Sequence, residues 1–255
     1  MGNKKGQILL ITVMLLATVM TVVLSISFKS ITETQVTKLE EESQKALAAS
    51  ESAIDVALKE NQNVTIGTGS LTSITGFSGG ATIDTTTSNT FISPNILKDG
   101  SYTFYLGNYN VDNKTIGASS GQDIAICFQS GAVNPAIEIT LIKTGGVRKY
   151  VVDDPSSSRI INAYDASTIC TPNANYGFSY TILGTHIGVD GKFLLVRVLY
   201  APTKLYFYRP SPQLPVQGRT ISSQATSSTS TGVSKKVVLF QSHPQIPPEF
   251  FTTAF

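Results

Sequence analysis

The N-terminal stretch MGNKKGQILLITVMLLATVMTVVLSISF, residues 1–28, decides how the rest of the chain is interpreted. No charged side chain occurs between Ile8 and Phe28. A helix of that length spans roughly 30 Å, the thickness of the hydrocarbon core of a bilayer. Lys4 and Lys5 precede the run and favour a cytoplasmic N-terminus, a preference that Lys29 at the other end weakens. The stretch therefore predicts a single-pass protein of the cytoplasmic membrane with an extracytoplasmic C-terminal domain.

Three fates of this segment are consistent with its sequence: a cleaved signal peptide, an uncleaved anchor, and a segment cut on the cytoplasmic side. Ser25 and Ser27 are small residues at a spacing that suits signal-peptide cleavage before Phe28. The apolar run, however, is longer than the usual signal-peptide core of about 7–15 residues. A buried core helix is disfavoured, because the run is apolar on all faces.

The following residues predict that the helix continues beyond the membrane. No glycine or proline occurs between Gly6 and Gly67, so nothing in the sequence stops the helix. Residues 29–60 are amphipathic, because apolar and small side chains recur at steps of mostly three or four and define one stripe. The stripe consists of Val36, Leu39, Ser43, Ala46, Leu47, Ser50, Ala53, Ile54, Ala57 and Leu58. The sequence thus predicts one helix from about Gln7 to Lys59, roughly 80 Å long.

Two motifs carry a resemblance to a known family. NKKG, residues 3–6, is followed by Gln7 and the apolar helix, and QKALAASESAIDVAL occupies residues 44–58. Over about the first 60 residues the chain resembles the type IV pilins, in particular minor pilins and pseudopilins with a PilX-type N-terminus. The resemblance implies that a prepilin peptidase cleaves after Gly6. Lys4, Lys5 and Gly6 then belong to a leader of residues 1–6, and Gln7 begins the mature chain.

The resemblance also implies how the helix is used. Residues 7–28 span the membrane before assembly and form the filament core afterwards, where they pack against the helices of other pilin subunits. The residues expected to make these contacts are Ile8, Leu9, Ile11, Leu15, Leu16 and Val22. Major pilins usually carry a glutamate at the fifth mature position, which is Ile11 here. Some minor pilins and pseudopilins lack that glutamate, so the resemblance points to a minor or tip-associated subunit.

Residues 61–255 predict a β-rich extracytoplasmic head, which gives an α+β fold of pilin type: a long helix packed on an antiparallel sheet. The Gly/Ser/Thr-rich segment 63–93 predicts exposed loops or irregular strands. Gly145-Gly146 predicts a hairpin turn. Residues 192–210 predict two strands around Ala201–Thr203, both apolar on two faces and therefore central. Residues 218–242 predict a last strand pair.

The charge balance excludes one class of function. The chain carries 19 basic and 17 acidic side chains, and Lys4 and Lys5 account for the whole excess. A nucleic-acid-binding protein would show a concentrated basic surface, so no nucleic-acid partner is predicted. The acidic run Glu40–Glu42 is expected to be a solvated helix face that can meet basic groups of a neighbouring subunit.

The cysteines and histidines predict no metal site. Cys127 and Cys170 lack a CxxC partner, and His186 and His243 are isolated in the sequence. The two cysteines are expected to form one disulfide outside the cytoplasm, with two buried unpaired thiols as the alternative. No cofactor is predicted.

One catalytic pattern occurs in the head. GFSGG, residues 76–80, matches the GxSxG nucleophile elbow of α/β-hydrolases, with Ser78 as the nucleophile. The flanking sequence predicts no helix after it, so a chance match is favoured. Asp153-Asp154 before Pro155 predicts a solvated turn, because no calcium-loop spacing follows. The tyrosines of residues 101–110 and 204–210 predict sheet packing, with ligand binding as the alternative. We therefore predict no catalytic residue.

Three functions from different classes follow. The favoured one is a structural filament subunit that needs no catalytic group. The alternative is a membrane-anchored or secreted β-domain that acts as a surface binding module, or adhesin, without polymerising. An exported hydrolase that uses Ser78 is the third. The three differ in what they require: cleavage after Gly6, a ligand for the head, or the hydroxyl of Ser78.

Overall fold

The computed structural model of the protein describes residues 4–85, 87–167, 176–229 and 232–247. Helix α1 comprises Lys4–Glu60, and the short helix α2 comprises Gly184–Ile187. The strands are β1 Val64–Thr65, β2 Phe77–Asp84, β3 Thr90–Ile92, β4 Ser101–Tyr105, β5 Tyr109–Asn110, β6 Thr115–Ile116, β7 Ile124–Phe128, β8 Ala136–Lys143, β9 Gly146–Asp153, β10 Tyr164–Asp165, β11 Phe178–Ile182, β12 Gly191–Leu199, β13 Leu205–Tyr208, β14 Gly218–Ser227 and β15 Ser234–Ser242. The fold class is α+β.

Helix α1 is a single uninterrupted helix, as the absence of glycine and proline after Gly6 predicts. It begins at Lys4, three residues before the predicted start, and ends at Glu60. Asn61 directly after it has a φ of 54°, a left-handed conformation that asparagine tolerates better than most residues and that turns the chain out of the helix.

The chain forms two compact units. The first comprises Met1–Ile83 and Ile221–Leu239, and the second comprises Asp84–Thr220 and Phe240–Phe255. The second unit is therefore inserted in the chain between β2 and β14. The predicted head region 61–255 is divided between these two units.

The first unit combines helix α1 with a four-stranded sheet of order β1-β2-β14-β15. Strand β2 lies inside this sheet, whereas the sequence predicted loops or irregular strands for this segment. Its glycines explain the difference, because they let neighbouring backbones approach closely. A Cβ atom at Gly79 would clash with the carbonyl oxygen of Gln224 in β14, and one at Gly80 would clash with that of Val64 in β1.

The second unit contains a five-stranded sheet, β10-β9-β8-β12-β4, and a four-stranded sheet, β11-β7-β13-β3. The two sheets share one hydrophobic core, in which the rings of Phe104 and Phe207 stack with centroids 4.1 Å apart. Neighbouring strands are antiparallel, except that β10 pairs with β9 in parallel. A two-stranded ribbon of β5 and β6 completes the unit.

The strand predictions for this unit hold with two adjustments. Strands β8 and β9 form the predicted hairpin, but Lys143 pairs with Gly146, so Thr144 and Gly145 are the turn residues. Strands β12 and β13 are both interior, as predicted, but they lie in different sheets rather than pairing with each other. The chain around Ala201–Thr203 thus passes from one sheet to the other.

Candidate assembly surface

The N-terminal half of helix α1 presents an exposed apolar surface. Every residue from Leu9 to Glu41 is exposed, and every large apolar side chain from Leu9 to Phe28 is more than half exposed. Among the described residues, α1 is the one helix long and apolar enough to cross a membrane. The predicted assembly residues Leu9, Ile11, Leu15, Leu16 and Val22 all lie on this exposed surface.

The threonine hydroxyl groups within the apolar segment are satisfied by the helix itself. Thr12 Oγ1 donates to the Leu9 carbonyl over 2.9 Å, and Thr18 Oγ1 donates to the Leu15 carbonyl over the same distance. Thr21 Oγ1 donates to the Thr18 carbonyl over 2.8 Å. Since each donor has an acceptor within the helix, these threonines do not oppose an apolar environment.

The residues predicted to be processed lie at the start of α1. The backbones of Lys4, Lys5, Gly6 and Gln7 are helical, as is that of Ile8. The side chains of these five residues lie outside the described part of the structure. The predicted cleavage point after Gly6 thus falls in the first turns of the helix.

The exposed part of α1 is longer than a bilayer requires. From Leu9 to Glu41 the helix extends about 50 Å, whereas a membrane span takes roughly 20 residues. The surplus, Lys29–Glu41, is termed the stalk here. Its side chains Ile31, Val36 and Leu39 are exposed by 55%, 47% and 49%. Val36 and Leu39 belong to the predicted amphipathic stripe, so this part of the stripe lies uncovered.

The same stripe is buried further along the helix. Ala46, Ser50, Ala53 and Ala57 are fully buried. Ala53 and Ala57, with Ala49 and Ile54 beside them, belong to one hydrophobic cluster with Ala81 of β2 and Ile221 and Ala225 of β14. Small side chains let the helix lie close to the sheet. The predicted packing of the amphipathic half of the helix on a sheet is therefore present inside the first unit.

Glu42 is the first residue after the exposed segment Leu9–Glu41 that is partly buried. The sequence predicts a solvated face for Glu40–Glu42, but the side chain of Glu42 is only 21% exposed. Its Oε2 accepts hydrogen bonds from Ser227 Oγ at 2.9 Å and from Thr229 Oγ1 at 3.2 Å. The prediction was wrong for Glu42 because residues 185 and 187 positions away in the sequence supply its donors.

Ser78 lacks the surroundings of a nucleophile elbow. It is an exposed residue within strand β2, and the next described element along the chain is strand β3 rather than a helix. A nucleophile elbow requires a sharp turn from strand to helix. Both glycines of the GxSxG pattern have a structural reason: Gly80 lies against the Val64 carbonyl of β1, and Gly76 has a φ of 80°.

The turn predicted at Asp153 and Asp154 is present, because the Ser157 N–H donates to the Asp154 carbonyl at 3.1 Å, but the two carboxylates are not solvated. They are only 4% and 8% exposed. Burial alone would raise the pKa of Asp153, but the hydrogen bonds from Arg159 and from the Asp154 backbone outweigh it and lower that pKa. Hydrogen bonds from the Ser156 backbone N–H (3.0 Å) and from Asn134 Nδ2 (2.6 Å) lower the pKa of Asp154. The pair is a structural polar cluster, not a solvent-facing site.

The aromatic residues serve mainly in packing. Tyr102, Tyr105 and Tyr206 are at most 5% exposed, which confirms the prediction for the two tyrosine-rich segments. Sequence reasoning missed a different cluster, in which Tyr150 lies at 2% exposure beside Tyr164, Tyr180 and His186. The Tyr150 hydroxyl lies 2.9 Å from His186 Nδ1. His186 is therefore not isolated in space. No sequence signal marks this cluster, because its members come from β9, β10, β11 and α2.

A cavity of about 270 Å3 lies in the second unit and is lined mainly by polar groups. Its hydroxyls bond to neighbouring side chains: Thr87 donates to Gln213, and Ser88 lies 3.3 Å from Thr90. Within the described parts of the chain, no group of three or more His, Cys, Asp or Glu side chains is placed to hold a metal ion.

Cys127 lies in β7, is 1% exposed and is disulfide-bonded. Cys170 lies outside the described residues. The alternative of a free buried thiol is therefore excluded for Cys127, and the pairing with Cys170 stays a prediction.

In comparisons with known proteins, no family model, no curated protein and no solved structure matches the chain.

Proposed function

We propose that this chain is a structural subunit, minor or tip-associated, of a type IV pilus-like filament, and that a prepilin peptidase cleaves it after Gly6. The observation that supports this proposal most is the 57-residue helix α1. From Leu9 to Phe28 it is exposed and carries no charged side chain, and its last part is buried on a small antiparallel sheet. A structural role uses both parts, whereas an enzyme would need neither.

The proposal assigns two successive environments to the apolar segment. Before assembly, residues 7–28 cross the cytoplasmic membrane, and the head, residues 61–255, lies outside the cytoplasm. After cleavage, Leu9, Ile11, Leu15, Leu16 and Val22, with Ile8, pack against helices of other pilin subunits. Lipid and a helix bundle are both apolar, so the transfer costs little net hydrophobic free energy. Head-to-tail packing of this kind grows without closing, as a filament requires.

The second candidate is a membrane-anchored or secreted surface binding module that does not polymerise. The observation that favours it is the second unit, which has its own core of two sheets and accounts for most of the head. An adhesin at a filament tip combines both candidates.

Substitution at the cleavage point tests the choice between them. Gly6→Val places a branched side chain where the peptidase must approach the backbone, so we expect loss of cleavage and absence of the chain from sheared surface filaments. Gly2→Val in the same leader is the matched control and should be processed normally. If the Gly6→Val chain still enters filaments, or if wild-type cells yield no filament containing the chain, the structural proposal fails.

A further inference from the structure

One outer edge of the five-stranded sheet, the edge formed by β4, is covered by side chains instead of by another strand. Strand β4 is the last strand of this sheet and pairs with β12 on one side only. Alternate residues of a strand direct their backbone N–H and C=O groups to the same side. On the side away from β12 these groups belong to Ser101, Thr103 and Tyr105, and the last two residues each meet one glutamine side chain.

Gln217 bonds to Tyr105 as another peptide group would. Its Oε1 accepts a hydrogen bond from the Tyr105 N–H at 2.8 Å, and its Nε2 donates to the Tyr105 carbonyl at 2.9 Å. The same Nε2 also donates to the Pro215 carbonyl at 2.8 Å. Gln217 is 4% exposed, so its amide has few alternatives to these partners.

Gln245 repeats the arrangement two residues earlier on β4. Its Oε1 accepts from the Thr103 N–H at 2.7 Å, and its Nε2 donates to the Thr103 carbonyl at 3.4 Å. The Ile246 N–H also donates to Thr103 Oγ1 at 2.9 Å. A primary amide has one acceptor and a donor pair, so it can satisfy both backbone groups of one residue.

The segments that carry the two glutamines are unable to add a full strand to the sheet. Pro215 precedes Gln217 by two residues, and Pro244 and Pro247 flank Gln245 and Ile246. Proline lacks an N–H, so these segments cannot supply a regular ladder of donors. The Tyr105 hydroxyl donates to the Pro244 carbonyl at 2.6 Å, which holds the second segment against β4.

We infer that Gln217 and Gln245 guard the β4 edge and prevent it from pairing with the same edge of a second copy of this chain. An open strand edge is a template for association with another chain, and natural proteins cover such edges. The guard satisfies the edge at two residues, and the prolines leave no new edge outside it. This inference concerns the second unit alone and stands whether or not the chain enters a filament.

The test uses the full chain in detergent with the variants Gln245→Ala and Gln217→Ala/Gln245→Ala. Gln122→Ala, at an exposed glutamine of the same unit, is the control. Hydrogen exchange of the Thr103 and Tyr105 amides and the oligomeric state are followed against protein concentration. We expect the exposed amides to exchange about tenfold faster in dilute variants. They should regain protection, with formation of larger species, as the concentration rises.

Renewed protection of these two amides distinguishes pairing at β4 from association through α1. Association through α1 is common to wild type, control and variants, because all of them contain this helix. If dilute variants exchange no faster than wild type, the glutamine bonds are absent in solution and the inference is overturned. If the two amides exchange faster in the variants but are not protected again at higher protein concentration, the uncovered β4 edge does not pair with a second copy. The inference is then also overturned. Gln245 is exposed, so Gln245→Ala gives this readout even if the double variant does not fold.

Discussion

At the residue scale, the polar side chains buried in the two units differ in how well they are satisfied. Asp153 and Asp154 have a hydrogen-bond donor for each carboxylate, and Arg159 lies 4.2 Å from the centre of the Tyr200 ring. Ser50 and Ser223 in the first unit are fully buried, and neither hydroxyl has a hydrogen-bond partner among the residues that the structure describes. The first group should stabilise the fold, and the second should weaken it.

The Asp153 cluster predicts acid sensitivity of the second unit. The pKa of Asp153 and of Asp154 is lower in the folded chain than the ordinary value of about 4. A carboxyl with a lowered folded pKa stabilises the fold above its unfolded pKa, and that contribution is lost as pH falls through the folded pKa. We therefore expect stability to fall below about pH 4, and Asp153→Asn should flatten this part of the profile. The control is Asp112→Asn at an exposed position.

This profile is measured from urea unfolding at pH 6 to pH 2.5, followed by tyrosine circular dichroism because the chain has 10 tyrosines and no tryptophan. At neutral pH, Asp153→Asn should cost about 2 kcal/mol, since it weakens charge-assisted hydrogen bonds. An Asp153→Asn profile as steep in acid as that of wild type would contradict this role.

Removal of the unpartnered hydroxyls should stabilise the first unit. An unsatisfied buried donor costs about 1–3 kcal/mol. We expect Ser50→Ala to raise the free energy of unfolding by about 1 kcal/mol and Ser223→Ala to act in the same direction. Ser30→Ala, at an exposed position of the same helix, controls for the higher helix propensity of alanine. A loss of stability in Ser50→Ala would show that the hydroxyl has a partner in solution.

At the scale of elements, the uncovered stalk is the part of α1 whose role depends on other molecules. Val36 and Leu39 continue the stripe that is buried at Ala46 to Ala57, yet they are 47% and 49% exposed. The proposed filament gives them a partner, because neighbouring subunits surround the helix.

Polar substitutions in the stalk separate assembly from folding. Because both side chains are about half exposed, Val36→Asn/Leu39→Asn should leave the unfolding midpoint within about 0.5 kcal/mol of wild type. In the filament they would face an apolar partner, so we expect the amount recovered in sheared filaments to fall severalfold. Lys38→Gln, in the same turn, is the control. Unchanged recovery would mean that the stalk is not an assembly surface.

Sequence reasoning succeeded for elements whose signal is local. Helix α1, the β8–β9 hairpin and the last strand pair each depend on residues within a few positions of one another. It failed where distant residues decide the outcome. The segment of strand β2 was predicted as loops or irregular strands, because the need for its glycines appears only when β1 and β14 lie beside it. Glu42 was predicted to be solvated, because its donor Ser227 is 185 positions away in the sequence.

At the scale of the whole molecule, the chain consists of two units that differ in structure. The first unit carries the exposed helix and a small sheet, and the second is an inserted β-rich unit with a separate core. The insertion point follows from the pairing of β2 with β14, which brings Gly76 and Ser228 together. No local sequence feature marks that division. The proposed filament subunit uses the helix of the first unit, and the second candidate, a surface binding module, uses the second unit.

The most direct test of this account is the intact mass and N-terminal residue of the protein recovered from its own cells. The account predicts a chain that begins at Gln7, with or without a methyl group on its amine. A chain that begins at Phe28 would contradict it and indicate ordinary secretion. A chain that still begins at Met1 or Gly2, in cells whose prepilin peptidase is active, would contradict it as well and leave a membrane-anchored binding module.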